Sequence, residues 1–430
     1  MRDYFKKTEY VLERLWFHYL GGLYEGRGIM TWNPDEGFHI EAFLDREGPP
    51  LPKEIPLGKV GIPRERDFCS IRMMPTVFDW AIAPKVRLTD RHDVLVHKRL
   101  SINLSRVIFS SSWRNNNGLN WCGSALYETK RHLAFPDRVD TEVRINKQKV
   151  ESKLQASGIW YENEQNQRII GRLIEDRYLE LHWGLSKPLW SKTDSCQWSE
   201  AAQYALSIFF GETVWLLQRE VRRGARRYIE VRKRERLNSL SFSLFDEQKM
   251  LDKRVFIQLT EFLVRNKPHA TICRNIFTQM LEASRQQTWQ ATELLLSTIL
   301  EAALRSLEKH PSQPNDKWNV QGGLKRFREK YFTREWKPYF KRAFEAFEAL
   351  RHRNAHPDWL FSQGGYLSEE EMEKSLDAMI FLSRFYGYMI LALAGFEELE
   401  PRFPISHKEW KPLMTIGYLE DSEVENSLSE

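Results

Sequence analysis

Cysteine is scarce: there are four in 430 residues, Cys69, Cys122, Cys196 and Cys273. None falls in a Cys-x-x-Cys pair, so neither a disulfide framework nor a thiolate zinc knuckle is expected. Long apolar runs are missing as well. The strongest, residues 385–396, is shorter than the ~20 residues a membrane-spanning helix needs, and it reads as a core helix. The opening Met1-Arg2-Asp3-Tyr4-Phe5-Lys6-Lys7 has no apolar stretch like that of a signal peptide. A soluble, reducing, cytoplasmic setting is therefore expected, with no membrane partner. The glycines of residues 21–28 are not followed by Gly-Lys-Ser/Thr, so they read as strand turns and not as a phosphate cradle. No regular repeat appears, and no cluster of metal-ligating residues, so neither metal nor cofactor is expected.

What is present is aromatic and mildly basic. The chain has 15 Trp, 15 Tyr and 25 Phe and is 42% hydrophobic, enough for packed cores in two or three domains. Net charge is +5, which permits a nucleic-acid partner without requiring one.

The pattern predicts an α+β chain, a β-rich domain over residues 1–198 followed by helices. Residues 28–32 and 38–44 alternate partially around Asn33-Pro34-Asp35-Glu36-Gly37, a hairpin signal. Further strands are expected at 93–97, 100–109, 158–162, 168–174 and 178–183. Residues 49–63 and Asn115-Asn116-Asn117-Gly118 read as loops. His39, His97, His132 and His182 are scattered through this half at no ligand spacing.

From Glu200 the period becomes helical. Residues 199–241 are expected to form a basic connecting helix. Leu217, Val221, Ala225 and Tyr228 would line one side, and Arg219, Arg222, Arg223, Arg226 and Arg227, extended by Lys233 and Arg234, the other. Such a stripe is either a solvated face or a track for RNA phosphates, and Glu220, Glu230 and Glu235 dilute it.

After a hinge at 239–246, residues 242–410 read as a helical bundle with helices near 247–265, 270–288, 292–309, 324–331, 335–356 and 369–396. Residues 310–323 read as a polar loop. Residues 411–430 are an acidic tail expected to be disordered. Helix 292–309 would bury Leu296, Ile299, Leu300, Ala303 and Leu307, leaving Glu293 and Glu301 off that stripe.

The chemistry concentrates at the end of helix 335–356. Phe340, Phe344, Phe347 and Leu350 recur on one face, and a 100° projection puts Arg351 on that same face, with Asn354 at its edge. A buried guanidinium needs a partner, and Glu293 and Glu301 are the acidic candidates. Pro357 disfavours helical angles at His356 and so loosens the helix there. An arginine can hold a phosphate through charge-assisted bidentate bonds, and a histidine can move protons near neutral pH. The ordinary alternative is a helix end whose cations complement the dipole.

Arg351-His352-Arg353-Asn354-Ala355-His356 resembles the signature of the HEPN ribonucleases: an arginine, a polar residue, three more, then a histidine. Arg351, His352 and His356 fill those places. The resemblance covers roughly residues 242–396. It implies a HEPN helical bundle acting as a metal-independent endoribonuclease in antiviral defence or abortive infection. The expected substrate is host or viral RNA, tRNA or mRNA, cut by its own 2′-OH to leave 2′,3′-cyclic phosphate and 5′-OH ends. It also implies a homodimer whose paired motifs form one composite site. Arg351 and His356 would act directly, with His352 orienting them, while Arg353 and Asn354 would support RNA contact. Trp336 and Trp359 would either stack bases or cap the bundle.

The hairpin of residues 21–44 more weakly resembles the β-rich domain that precedes HEPN in ApeA-type phage-defence proteins. That implies a sensor domain meeting a phage-derived or nucleic-acid trigger. A non-catalytic RNA- or nucleotide-binding dimerisation module is the alternative, and a scaffold in which Arg351 merely pairs a glutamate is a third reading.

Overall fold

The computed structural model describes residues 4–19, 22–46, 68–87, 99–112, 123–129, 137–145, 148–162, 168–174, 177–184, 195–223, 226–235, 239–240, 253–265, 267–308, 318–355, 368–397 and 399. The expected strand 93–97, the loops at 49–63 and 115–118, most of the hinge and the tail lie outside them. The α+β layout holds: strands dominate the first half and helices the second. Two compact units result. One comprises Met1–Thr129, Asp137–Ser199 and Trp215–Arg236. The other comprises Lys130–Pro136, Glu200–Val214 and Leu237–Glu430.

The first unit is built on antiparallel strands: β1 (Thr8–Tyr19), β2 (Gly22–Asn33), β3 (Gly37–Arg46), β4 (Phe68–Pro75), β5 (Trp80–Arg87), β6 (Arg99–Leu104), β7 (Arg106–Ser112), β8 (Gly123–Glu128), β9 (Asp137–Ile145), β10 (Gln148–Glu162), β11 (Arg168–Ile174), β12 (Tyr178–Gly184), β13 (Trp215–Arg223) and β14 (Arg226–Arg232). They join one sheet in the order β6-β3-β2-β1-β4-β5-β7-β14-β13-β8-β12-β11-β10-β9. The expected strand 100–109 is thus two strands broken at Ser105. That break shapes the sheet. Five strands stand between β6 and β7 in the order, yet a single residue joins them. Flat, at ~4.8 Å per strand, they would lie roughly 30 Å apart, so the sheet must curl. It curls around Leu15, Phe17, Met30, Trp32, Ile40 and Phe109, all buried.

The β2–β3 hairpin forms where the alternation placed it, and Gly37 takes φ 89° to close the turn. Gly26 and Gly28 are not turns. They sit within β2, where a Cβ on Gly28 would come 2.0 Å from the Glu41 carbonyl oxygen. Close approach of β3 is what requires glycine there.

The expected basic helix over 199–241 is not formed. A helix, α1 (Ser195–Phe210), ends at Gly211 with φ 64°, and the arginine-rich stretch becomes β13 and β14, paired antiparallel. Leu217 and Val221 satisfy helical spacing, but residues 215–221 are almost uniformly shielded and fit a strand with neighbours on both sides.

The second unit contains α2 (Lys253–Arg265), α3 (Lys267–Ala283), α4 (Trp289–Glu308), α5 (Val320–Tyr331), α6 (Lys337–Ala355, led in by a 3₁₀ turn at Arg334–Trp336) and α7 (Glu369–Leu393). α4 packs against α3, α5, α6 and α7, while α6 also packs against α7. Phe340 of α6 meets Phe385 of α7 edge-on at 5.0 Å. Trp336 is fully buried, contacts Tyr388, and its Nε1 donates to the Leu399 carbonyl at 2.6 Å. It belongs to the core and is closed to RNA. α7 is long and apolar enough to cross a membrane, but its most apolar stretch is 89% buried in the protein.

Candidate active site

Arg351 lies in the last turn of α6. The buried stripe of this helix is Phe340, Ala343, Ala346, Phe347 and Leu350, with Phe344 only half-buried. Contrary to the helical projection, the Arg351 side chain is 52% exposed. Its guanidinium lies 5.4 Å from the Phe347 ring centre and reaches past that ring toward solvent. The long stem lets an arginine leave the apolar face that its Cα belongs to.

Of the two acidic candidates, Glu301 is the partner. Its Oε2 accepts from Arg351 Nη1 at 2.7 Å. Its Oε1 pairs with Arg305 Nη2 at 2.8 Å. Arg305 in turn lies 4.6 Å over the Trp318 ring. Trp318 Nε1 donates to Glu308, which Arg326 grips through two bonds of 2.8 and 2.7 Å. A chain of charges across α4, α5 and α6 therefore fixes the Glu301 carboxylate before it meets Arg351. Glu293 serves elsewhere. It is fully buried, and its Oε1 accepts from Trp289 Nε1 at 2.8 Å and from the Ser375 hydroxyl. Leu307 is half-buried, while Leu304 belongs to the core.

His352, Arg353 and Asn354 share the last turn of α6 with Arg351, but their side chains lie outside the described residues, as do His356 and Trp359 altogether. The geometry in hand is that of Arg351 and its supports.

The arginines of the expected RNA track divide. Arg219 is 5% exposed and enclosed. It holds Glu230 Oε2 at 2.7 Å and donates to the Ser199 hydroxyl at 3.1 Å. Arg106 and Arg232 each reach Glu230 Oε1 at 2.6 Å. Burial pushes the Glu230 carboxyl up, but Arg219, Arg232 and Arg106 together outweigh it and hold the group below the usual range. Arg219 is thus a structural counter-ion, unavailable to RNA. Arg222 and Arg227 flank Glu220, each at 2.7 Å. Arg226 is exposed.

The described histidines are peripheral. His39 Nδ1 lies 2.8 Å from Asn103 Oδ1, and His182 Nε2 lies 3.5 Å from Glu180. Among the described residues no group of three or more His, Cys, Asp or Glu side chains is placed to hold a metal ion. Cys273 is buried in α3, and burial pushes its thiol up, which keeps it inert.

The Glu301–Arg351 pair was open in the sequence because two glutamates on α4 were equally placed. The Arg305–Trp318–Glu308–Arg326 support was not anticipated; its signal was the tryptophan beside the α5 cap, whose meaning depends on how α4 and α5 pack. Compared with family models, curated proteins and solved structures, the chain matches none of them.

Proposed function

We propose that the protein is a metal-independent endoribonuclease whose active site is centred on Arg351 and His356. The observation that carries the reading is the state of Arg351. It is fixed on one side by Glu301 and Phe347, and it is half-exposed at the end of a bundle helix. A guanidinium so held presents its remaining donors to a phosphate without first losing its own freedom. The resemblance of residues 351–356 to the HEPN signature supplies the rest. His356 moves the proton of the RNA 2′-OH, Arg351 stabilises the charge gathering on the scissile phosphate, and His352 orients the pair. The motif of a second subunit completes the site in a homodimer. Glu301 is a positioning residue.

The test is incubation of the full chain with cellular RNA in excess EDTA. Arg351→Ala and His356→Ala abolish cleavage. Glu301→Gln reduces it about tenfold to a hundredfold, the cost of a misplaced catalytic group. The Arg351 pair is solvent-facing, so Arg351→Ala changes stability by less than about 1 kcal/mol. Cleavage that survives both alanine variants overturns the assignment. A large fall in melting temperature with Arg351→Ala would instead make this arginine a scaffold element.

A further inference from the structure

Beside the β2–β3 turn the sheet unit has a polar cleft of about 480 Å³. Strand alternation sets its bed. Trp32, Phe38, Ile40 and Ile102 turn into the core, so Thr31, His39 and Asn103 turn the other way and line the cleft. The register sets Thr31 opposite His39 and His39 opposite Asn103. The three therefore form one polar row across β2, β3 and β6. His39 Nδ1 lies 2.8 Å from Asn103 Oδ1. With that oxygen engaged, the Asn103 amide nitrogen remains as a donor.

Lys7 and Lys233 line the same cleft from distant parts of the chain. One buried residue ties their segments together. The Tyr4 carbonyl accepts from Trp32 Nε1 at 2.9 Å, and its hydroxyl donates to the Arg232 carbonyl at 3.0 Å. Lys233 is itself pinned. Its amide donates to the Ser105 carbonyl at 2.7 Å, and its carbonyl accepts from Trp215 Nε1 at 3.1 Å. Gly37 leaves room for the lysine stem, since a Cβ there would come 3.2 Å from Lys233 Cβ and Cδ. Among the described residues neither lysine has an ion-pair partner. The carboxylates of the cleft are engaged by other groups: Asp35 pairs with Arg234 at 3.1 Å, and Glu36 Oε2 accepts from the Asn33 amide at 3.0 Å. Two like charges lining one cleft repel, and an anion between them removes that cost.

We propose that this cleft binds a small phosphorylated molecule that also carries hydroxyl groups, of the size of a sugar phosphate. A phosphomonoester carries roughly −1.5 to −2 charges at neutral pH and so answers two lysines, where a carboxylate answers one. Thr31, Asn103 and the carboxylates offer donors and acceptors for hydroxyls. Among the described residues no large apolar side chain lines the cleft, so nothing there stacks a base or buries an apolar group. The volume falls in the range of small-molecule sites, roughly 300–1,000 Å³. Because Tyr4 fixes both lysine-bearing segments, the cations are in place before a ligand arrives, which lowers the cost of binding. The cleft belongs to the sheet unit alone, so the proposal holds or fails independently of the nuclease reading.

The experiment is isothermal titration calorimetry of the full chain with four probes: ribose 5-phosphate, inorganic phosphate, ribose and succinate. Ribose 5-phosphate binds most tightly and inorganic phosphate more weakly. Ribose, which lacks the phosphate, and succinate, which has carboxylates instead, bind at least about tenfold less tightly than ribose 5-phosphate. Lys7→Gln/Lys233→Gln lowers the affinity for both phosphate probes, by about tenfold for each charge-assisted bond lost. Lys7→Gln alone, at an exposed position, lowers it by about tenfold and guards against misfolding of the double variant. The proposal is overturned if neither phosphate probe binds at millimolar concentration, if succinate or inorganic phosphate binds as tightly as ribose 5-phosphate, or if the lysine variants keep the parental affinity.

Discussion

Glu180 shows how single residues in the sheet carry charge. Its side chain is 4% exposed, Arg172 and His182 engage it, and its carboxyl is held down to about 2. Burial raises that group, and the hydrogen bond and charge of His182, followed by Arg172, reverse the effect. A carboxyl whose folded value lies below its unfolded one adds stability that is complete above the unfolded value. That stability is lost as pH falls through the folded value. A depression to about 2 corresponds to roughly 3 kcal/mol. The melting-temperature gap between the parent and Glu180→Gln is expected to close as pH falls between about 4.3 and 2. A gap that is flat across the acid range, or widens there, contradicts this account. Arg219 and Glu230 belong to the same scale. Their sequence spacing suggested cations for RNA, but an arginine that falls directly opposite a glutamate on the neighbouring strand is claimed by it. The pairing partner, invisible in a linear stretch, decided the residue's role.

Among elements, the helices of the second unit were legible to within a few residues at most ends because their signals are local. α7 is the clearest. Ser368 caps it, its hydroxyl accepting from the Glu371 amide, while the Glu371 side chain returns to the Ser368 amide. Ser368→Ala opens this box and is expected to cost about 1 kcal/mol, a fall of roughly 2–4 °C in the melting of the helical unit. Near-wild-type melting would mean that α7 is held by packing alone. The β13–β14 hairpin was misread because residues 215–228 satisfy a helical period and a strand period at once. Arg222-Arg223-Gly224-Ala225-Arg226-Arg227 does contain a hairpin sign, a glycine opening a two-residue connection between matched pairs. The paired arginines obscured it because they fit a helical stripe equally well. At the candidate site the same limit applied: the position of Arg351 near the end of α6 was local and legible, whereas its exposure and its choice of Glu301 depended on how α4 meets α6.

Across the whole chain, two cores form from interleaved segments. The sheet unit takes in Asp137–Ser199, and after Glu200–Val214 the segment Trp215–Arg236 returns to it. The strand order explains why: β13 and β14 stand between β8 and β7, so the sheet is continuous only once they are in place. Each unit has its own aromatic centre. Phe109 is 1% exposed among Tyr10, Phe38 and Phe78, and Phe385 is fully buried beside Phe340 and Phe381. Units with separate cores unfold as separate cooperative blocks, so a single two-state transition is not expected. Calorimetry of the full chain should resolve two transitions. Truncation of either phenylalanine to alanine removes about 3–5 kcal/mol, which lowers a transition by roughly 10 °C. Phe109→Ala should move one transition and Phe385→Ala the other. If both variants shift the same transition by the same amount, the two cores melt as one body, and the division into units describes contacts without describing stability.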